Sequence, residues 1–488
     1  LHRSKKRTQH LESNLRSIMS YKTTIGLEVH AELATNSKMF CGCKNDPHAG
    51  EVNAYTCPVC LAHPGTLPVP NKEAIAMVLR FGQAIGAGKA DYSEFDRKNY
   101  FYPDIPKAYQ ISQYKYPFLT GGEIEGVELT RVHLEEDTAR SSHELADASI
   151  VDFNRAGVPL MELVTEPVLH DSTTAGAFAR ELQLLLQTLG ISDANMERGE
   201  MRIEANISIS DSDELGTKVE VKNINSFKAV EAAIDYEVAR QKEMIESGED
   251  VAQETRGWDE NNNRTFSQRS KETAKDYRYF PDPDITKLQV SEILDYSEDV
   301  LAEKIPKLPK EKRDMMKSYD ISDDIIETII SDRQLDIVFM GLAQVPGDEA
   351  VVRLAANYIA VDIAGLTSSE EGFAAADIDS KVLHELITLV HEGKIGSRGA
   401  KNLLRQLPGY SGDVLSLATE AGLLQMSDDS SLIPVVQKIV ADNNTQVEEF
   451  RAGKEAVLKF FVGLGMKETK GAANPQTLEK LLITEINK

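Results

Sequence analysis

Ile25-Gly26-Leu27-Glu28-Val29-His30-Ala31-Glu32-Leu33 alternates along its length. Ile25, Leu27, Val29 and Leu33 fall on one side of a two-residue repeat, and Glu28, His30 and Glu32 on the other. That period marks a strand with one face in a core. In Arg202-Ile203-Glu204-Ala205-Asn206-Ile207-Ser208-Ile209, the polar side is Arg202, Glu204, Asn206 and Ser208. Lys218-Val219-Glu220-Val221-Lys222 follows a Ser/Asp/Gly loop and reads as its hairpin partner. Such strands form an antiparallel sheet covered on one side only. A polar face mixing His, Glu, Asn and Lys on several strands exceeds what solvation needs.

Helical periodicity interrupts the strands over about 172–190, opened by Asp171/Ser172 and closed at Gly190, and over about 226–247, closed at Gly248. After about residue 305 the period changes. Pro306-Lys307-Leu308-Pro309 is a stiff junction, and helices are expected beyond it over about 310–318, 322–331, 347–364, 380–392 and 396–406. Ser380 is the expected N-cap of the fourth and Gly393 its stop. The organisation expected is a basic extension (1–20), a β-rich cradle (21–304), a helical domain (305–408) and a small helical tail (409–488). The fold class is α+β.

Length and composition agree with several domains, since 488 residues exceed one ordinary domain. With 41% hydrophobic and 27% charged residues, a mainly disordered chain is excluded. No run of about 18 apolar residues occurs, so no membrane span is expected. A net charge of −24 argues against non-specific duplex binding over the average surface. Two stretches depart from that average. Residues 1–20 carry five Lys/Arg against Glu12 alone. The simpler reading is an upstream extension before a start at Met19, with a cytoplasmic protein; a transit peptide would instead imply an organelle matrix. Residues 438–488 carry eight Lys/Arg against seven Asp/Glu, with Lys454, Lys459, Lys467 and Lys470 as candidate phosphate contacts.

The four cysteines, Cys41, Cys43, Cys57 and Cys60, read C-x-C-x13-C-x2-C. Two close pairs of thiolates can meet at one tetrahedral centre, the pattern of structural zinc; buried reduced cysteines or a redox pair are the alternatives. A closed four-cysteine site leaves no position open for catalysis. Glu28 and His30, two apart on one strand face, can point at one ion. Alone they read as surface polarity. His133-Leu134-Glu135-Glu136-Asp137 strengthens the case, as does Glu162, set among Leu160, Met161, Leu163 and Val164. A carboxylate buried there needs a cation. Several Glu with one His suit Mg²⁺ better than zinc. Neither G-x-x-x-x-G-K-[ST] nor G-x-S-x-G occurs, so no Walker phosphate loop and no serine nucleophile is expected.

At these residues the sequence resembles the B subunits of the aspartyl/glutamyl-tRNA amidotransferases, the GatB family, from Ile25 to about Leu482. The blocks that carry the resemblance are Ile25–Leu33, Phe95–Asp104, Pro106–Gln113, Arg131–Asp137 and Asp152–Pro167. It continues in Lys222–Phe227, Gln253–Arg256, Asp276–Pro281 and, at the end, Met466–Pro475. The resemblance implies an antiparallel saddle related to the glutamine synthetase fold, holding ATP and a divalent metal. It implies phosphorylation of the side-chain carboxylate of misacylated Glu-tRNA(Gln) or Asp-tRNA(Asn). Ammonia from a partner amidase/glutaminase, the A subunit, then displaces phosphate, in a heterotrimer whose third member is a small C subunit. Position by position, Glu28, His30, Glu136 and Glu162 match the Mg²⁺ ligands. By strict alternation Glu135 faces with His133 and Glu136 faces away, unless a bulge intervenes. Arg97, Lys98, Lys107, Arg202, Lys222 and Arg278 from the matched blocks are candidates to neutralise ATP and the attacking carboxylate. The competing readings are an independent glutamine-synthetase-like ligase using free ammonia and a non-catalytic tRNA-binding scaffold.

Overall fold

The computed structural model describes residues 21–145, 147–270, 277–425, 429–469 and 472–488. The extension over 1–20 and Lys470 lie outside them. The chain divides into two compact units, one ending at Leu308 and one beginning at Pro309.

The first unit is built on a ten-stranded sheet. Its centre is β1 (Lys22–Glu32), flanked by β5 (Pro159–Thr165) and β6 (Met201–Ser210). Outside β5 lies β4 (Val127–Glu136), followed by short strands at Leu119–Thr120 and Gly88–Lys89. Outside β6 lie β7 (Val219–Ile224), β8 (Glu254–Asp259) and β9 (Arg264–Ser270). The alternation in β1 does what its period requires: Ile25, Leu27 and Val29 are buried with Ile203, Ala205 and Ile207 of β6 in one core. Helices α2 (Ser172–Thr188) and α3 (Phe227–Ser247) cover that face through Phe178, Leu182, Val230 and Ile234. Asp171 and Ser226 cap them by accepting from the backbone N–H of Thr174 and Ala229. A further helix, α1 (Lys72–Ala84), is capped by Asn71 and was not marked by the sequence pattern.

The expected all-antiparallel sheet is corrected at one pair. β7 and β8 run parallel, because α3 carries the chain back to the end where β7 began. Beside the sheet, β2 (Asp96–Asn99) pairs with β3 (Tyr109–Ser112) and with a two-residue strand at Phe280–Pro281. This small sheet forms a wall over the polar face.

The second unit is helical throughout its described residues. Its helices include Pro309–Ser318, Asp323–Ile330, Ser380–His391 and Ser397–Leu404, with Arg333–Leu342 as an addition to those expected. The N-cap of the 380–391 helix is Asp379, whose carboxylate accepts from Lys381 and Val382, so Ser380 opens the helix instead of capping it. The helical stretch 349–369 is long and apolar enough, by length and composition, to cross a membrane. Val351, Val352, Ala355, Ile359 and Ile363 are buried in the unit, and Asp362 pairs with Lys401 at 2.6 Å. It packs as a core helix. Residues from Leu432 to Ile486 share a separate core that includes Phe461, Leu478 and Leu482.

Candidate active site

Sheet register assembles the polar face. Reading across four strands, Arg202 stands opposite His30, His30 opposite Glu162, and Glu162 opposite His133. One step along, Glu204 stands opposite Glu28. Glu162 Oε2 lies 3.3 Å from His30 Nε2 and 3.1 Å from His133 Nε2. His30 Nε2 is also 4.0 Å from a carboxylate oxygen of both Glu28 and Glu135. Three overlapping groups each bring their ligand atoms within 4.8 Å of one another: Glu28/His30/Glu162, His133/Glu135/Glu162 and Glu28/Glu204/Glu220.

The electrostatics show a face short of positive charge at its centre. Burial pushes the Glu28 carboxyl up to about 7, with the Glu162 and Glu204 charges adding to it. Burial opposes charge at Glu162 as well, but His133 and His30 outweigh it and hold that carboxyl well below its ordinary range. Burial likewise opposes charge on His133, and Glu162 and Glu135 reverse it, raising the imidazole to about 9. His133 Nδ1 and Glu135 Oε2 are buried with no hydrogen-bond partner among the described residues. Two histidines are thus standing in for positive charge, and a carboxylate oxygen is left over. A hard divalent cation fits that donor set.

The row opens into a cavity of about 870 Å³. Among the described residues, five Lys/Arg side chains line it (Lys98, Arg131, Arg155, Arg202 and Lys222), and the three chosen from the sequence are each already engaged by an acid. Lys98 Nζ lies 3.9 Å from Glu135, Arg202 donates to Asp137 at 2.8 Å, and Lys222 donates to Glu204 at 2.7 Å. A bulge aims the last: Lys222 and Asn223 together face the register position of Glu204, and Asn223 takes φ 64°. Along one side the rings of Tyr100, Tyr277, Tyr279 and Tyr114 touch in series, with Tyr114 and Tyr279 stacked at 4.6 Å.

The cysteines meet apart from this row. All four Sγ atoms lie within 4.8 Å of one another, and Cys57 and Cys60 are 3.9 Å apart, with no disulfide. A tetrahedral centre with bonds of about 2.3 Å separates its sulfurs by about 3.8 Å. The cluster can hold one metal ion.

A family model described as the GatB/GatE catalytic domain matches residues 23–294, and one described as the GatB domain matches 343–486. The B subunit of the aspartyl/glutamyl-tRNA(Asn/Gln) amidotransferase of Brevibacillus brevis is 41% identical over 480 residues, covering 96% of this chain and 99% of that protein. The protein of the same name from Thermodesulfovibrio yellowstonii is 41% identical over 477 residues, covering 95% and 99%. The chain belongs to the GatB family.

In this GatB-family chain the residues expected at the site divide between two places. Glu28, His30 and Glu162 converge, joined by His133, Glu135 and Glu204. Glu136 does not join them. No register shift interrupts β4 between His133 and Glu136, so alternation holds and Glu136 points to the opposite face. There it bonds Lys107 at 2.7 Å and accepts from the Ile111 N–H at 3.0 Å. Among the expected cations, Lys98, Arg202 and Lys222 line the large cavity. Lys107 and Arg97 line a separate cavity of about 320 Å³ beside the cysteines. Arg97 is held by Asp282 and Asp284, both at 2.8 Å, over the Tyr109 ring. Arg278 lines neither cavity; it takes φ 43°, and its carbonyl accepts from Asn99.

Glu135, Glu204, Glu220 and Asp137 enter the site without having been chosen from the sequence as ligands. The signal for Glu204 and Glu220 was present in the polar side of each alternating strand. What the sequence lacked was the register that puts those sides together.

Proposed function

We propose that this chain is the ATP-using member of a tRNA-dependent amidotransferase. It would phosphorylate the side-chain carboxylate of Glu-tRNA(Gln) or Asp-tRNA(Asn), and ammonia would displace that phosphate to leave the amide. The observation that carries the reading is the row Arg202–His30–Glu162–His133 on the open face of the sheet, with Glu162 and His133 buried, in a chain so similar to proteins named as amidotransferase B subunits. Ammonia would come from an amidase, the A subunit, in a heterotrimer completed by the small C subunit. The setting is wherever the misacylated tRNA is made, cytoplasm or organelle matrix.

Glu28, His30 and Glu162, with His133 and Glu135 beside them, would hold Mg²⁺, which neutralises charge on the transferring phosphoryl group. The chain's own cations supply the rest of the charge balance. Arg202 ends the row, Lys98 stands beside Glu135, and Lys222 stands beside Glu204. A γ-phosphate and an attacking carboxylate are both anions, and bringing them together requires fixed positive charge prepared beforehand. The acids now engaged by these cations keep them oriented until substrate arrives. The tyrosines and the wall formed by β2 and β3 limit water access, strengthening those interactions. The cysteine cluster is read as a structural zinc site for the 41–60 loop. The tail, with Lys454, Lys459 and Lys467, is read as a tRNA contact.

Phosphate release from ATP, measured on the assembled complex with and without misacylated tRNA, tests this. The proposal expects release that depends on the misacylated tRNA. Release without tRNA would favour a free-standing ligase, and none under either condition a scaffold. Glu162→Ala should lower the tRNA-dependent rate by about 10³-fold while glutaminase activity persists. A near-normal rate in that variant would remove Glu162 from the site.

A further inference from the structure

Lys38 is 0% exposed, a fully buried charged side chain of the first unit. Taking an ammonium out of water costs several kcal/mol unless an anion or several acceptors meet it. Among the described residues no carboxylate lies within ion-pair distance. Its Nζ donates to the Phe153 carbonyl at 3.1 Å and lies 4.0 Å from Cys60 Sγ. Its stem runs past Gly157, where a Cβ would stand 3.6 Å from Cδ. A carbonyl and a single sulfur at 4.0 Å would be a poor setting for a buried cation. Four thiolates around a divalent ion carry a net charge of −2, and the same position then becomes a favourable one.

We propose that Lys38 is the fixed counter-cation of the four-cysteine site and couples its metal to the 153–157 turn. The inference rests on the reading of those cysteines as a zinc site. The ammonium meets the metal-thiolate cluster on one side and the Phe153 carbonyl on the other. Met39 N–H donates to the Gly157 carbonyl at 2.7 Å, holding the next residue to the same turn. From the far side of the loop, Tyr55 N–H donates to Asn154 Oδ1 at 2.9 Å and Asn154 Nδ2 donates to the Glu51 carbonyl at 2.8 Å. Pro159 then opens β5, which carries Glu162. Lys38 is therefore a positioning residue: it touches neither substrate nor the reacting atoms.

The test is zinc affinity of the full chain, measured by competition with a chromogenic chelator, for the natural protein, Lys38→Met and Lys38→Arg. Loss of the charge should weaken zinc about 10- to 100-fold, the usual cost of losing a residue that supports metal ligands, whereas Lys38→Arg should stay within a few-fold. Equal affinity in Lys38→Met and the natural protein would overturn the inference while leaving the zinc site standing. No zinc in the natural protein would overturn the zinc reading and this inference with it. Should Lys38→Met not fold, amine labelling of the natural protein followed by peptide mass analysis decides. Lys38 should be protected with zinc bound and labelled once zinc is chelated; the same labelling in both states contradicts the coupling.

Discussion

Glu135 and Glu136 are neighbours in sequence and face opposite sides of β4. Glu135 lies 3.8 Å from His133 Nε2 and 3.9 Å from Lys98, inside the row; Glu136 is bound to Lys107 outside it. Glu135→Gln should therefore lower tRNA-dependent ATP cleavage by about 10²-fold or more, and Glu136→Gln should retain most of that cleavage. Measuring phosphate release for the two variants side by side checks the assignment. A second pair of acids shows the same dependence on position. Burial and the Asp137 charge push the Glu32 carboxyl up to about 8. Burial also opposes charge at Asp137, yet Arg202 and Arg155 prevail and bring it down to about 2. Folded protein thus keeps a proton on Glu32 that unfolded chain has released above its ordinary value of 4.5. That contribution is full below about 4.5 and is lost progressively as pH rises from there through about 8. Glu32→Gln should leave the melting temperature near that of the natural protein at pH 4, where the carboxyl is protonated in both states, and raise it progressively from there to pH 9; a lower value at pH 9 would contradict the pairing. At this scale the sequence was legible in part. Glu28 and His30 alone read as surface polarity. Only the His133–Asp137 stretch, the carboxylate of Glu162 in an apolar run and the family resemblance turn that reading toward metal ligands, and the structure brings Glu28, His30 and Glu162 together. Glu136 is matched by its motif, and the pleat turns it to the other face of β4, because alternation decides which of two adjacent side chains reaches the row.

At the scale of elements, the 41–60 loop and the 152–157 turn are stapled to each other. Asn154 is fully buried and serves both a donor and an acceptor of the loop. Asn154→Ala leaves the Tyr55 N–H and the Glu51 carbonyl without it and should cost about 2 kcal/mol of stability by denaturant unfolding. Cys57→Ser, or chelation of the natural protein, should speed proteolytic cutting within 40–65 while ATP cleavage survives. Equal cutting rates would show that metal does not hold the loop. The strand centres were readable because period two has one meaning on a half-covered sheet. The parallel pairing of β7 with β8 was not, since it depends on where α3 delivers the chain and not on the composition of either strand. Helix α1 and the 333–342 helix were overlooked, and Asp379 displaced Ser380 as a cap, an error of one residue that periodicity alone cannot prevent.

For the molecule as a whole, two units of different construction sit on one chain, and its net charge of −24 makes local chemistry decisive for an anionic substrate. In the tail, Lys454 is 3.4 Å from Glu449, while Lys467 lies in the last turn of the Val457–Glu468 helix. Removing residues 410–488 should raise the KM for misacylated tRNA strongly and leave tRNA-independent glutaminase activity of the complex unchanged. An unaltered KM would move tRNA recognition out of the tail. Division into a strand-rich and a helical part was legible from the change of period at about residue 305. The charge balance pointed to the tail, but which lysines are committed to neighbouring acids emerges only from packing. The central claim is that the side-chain carboxylate on tRNA becomes an acyl phosphate in the row around Glu162. It is tested most directly by charging tRNA with glutamate labelled with ¹⁸O in its side-chain carboxylate and analysing the phosphate released by the complex. The account predicts one ¹⁸O atom transferred to each phosphate, and no phosphate above background with Glu162→Ala. Unlabelled phosphate, formed while Gln-tRNA accumulates, would contradict it.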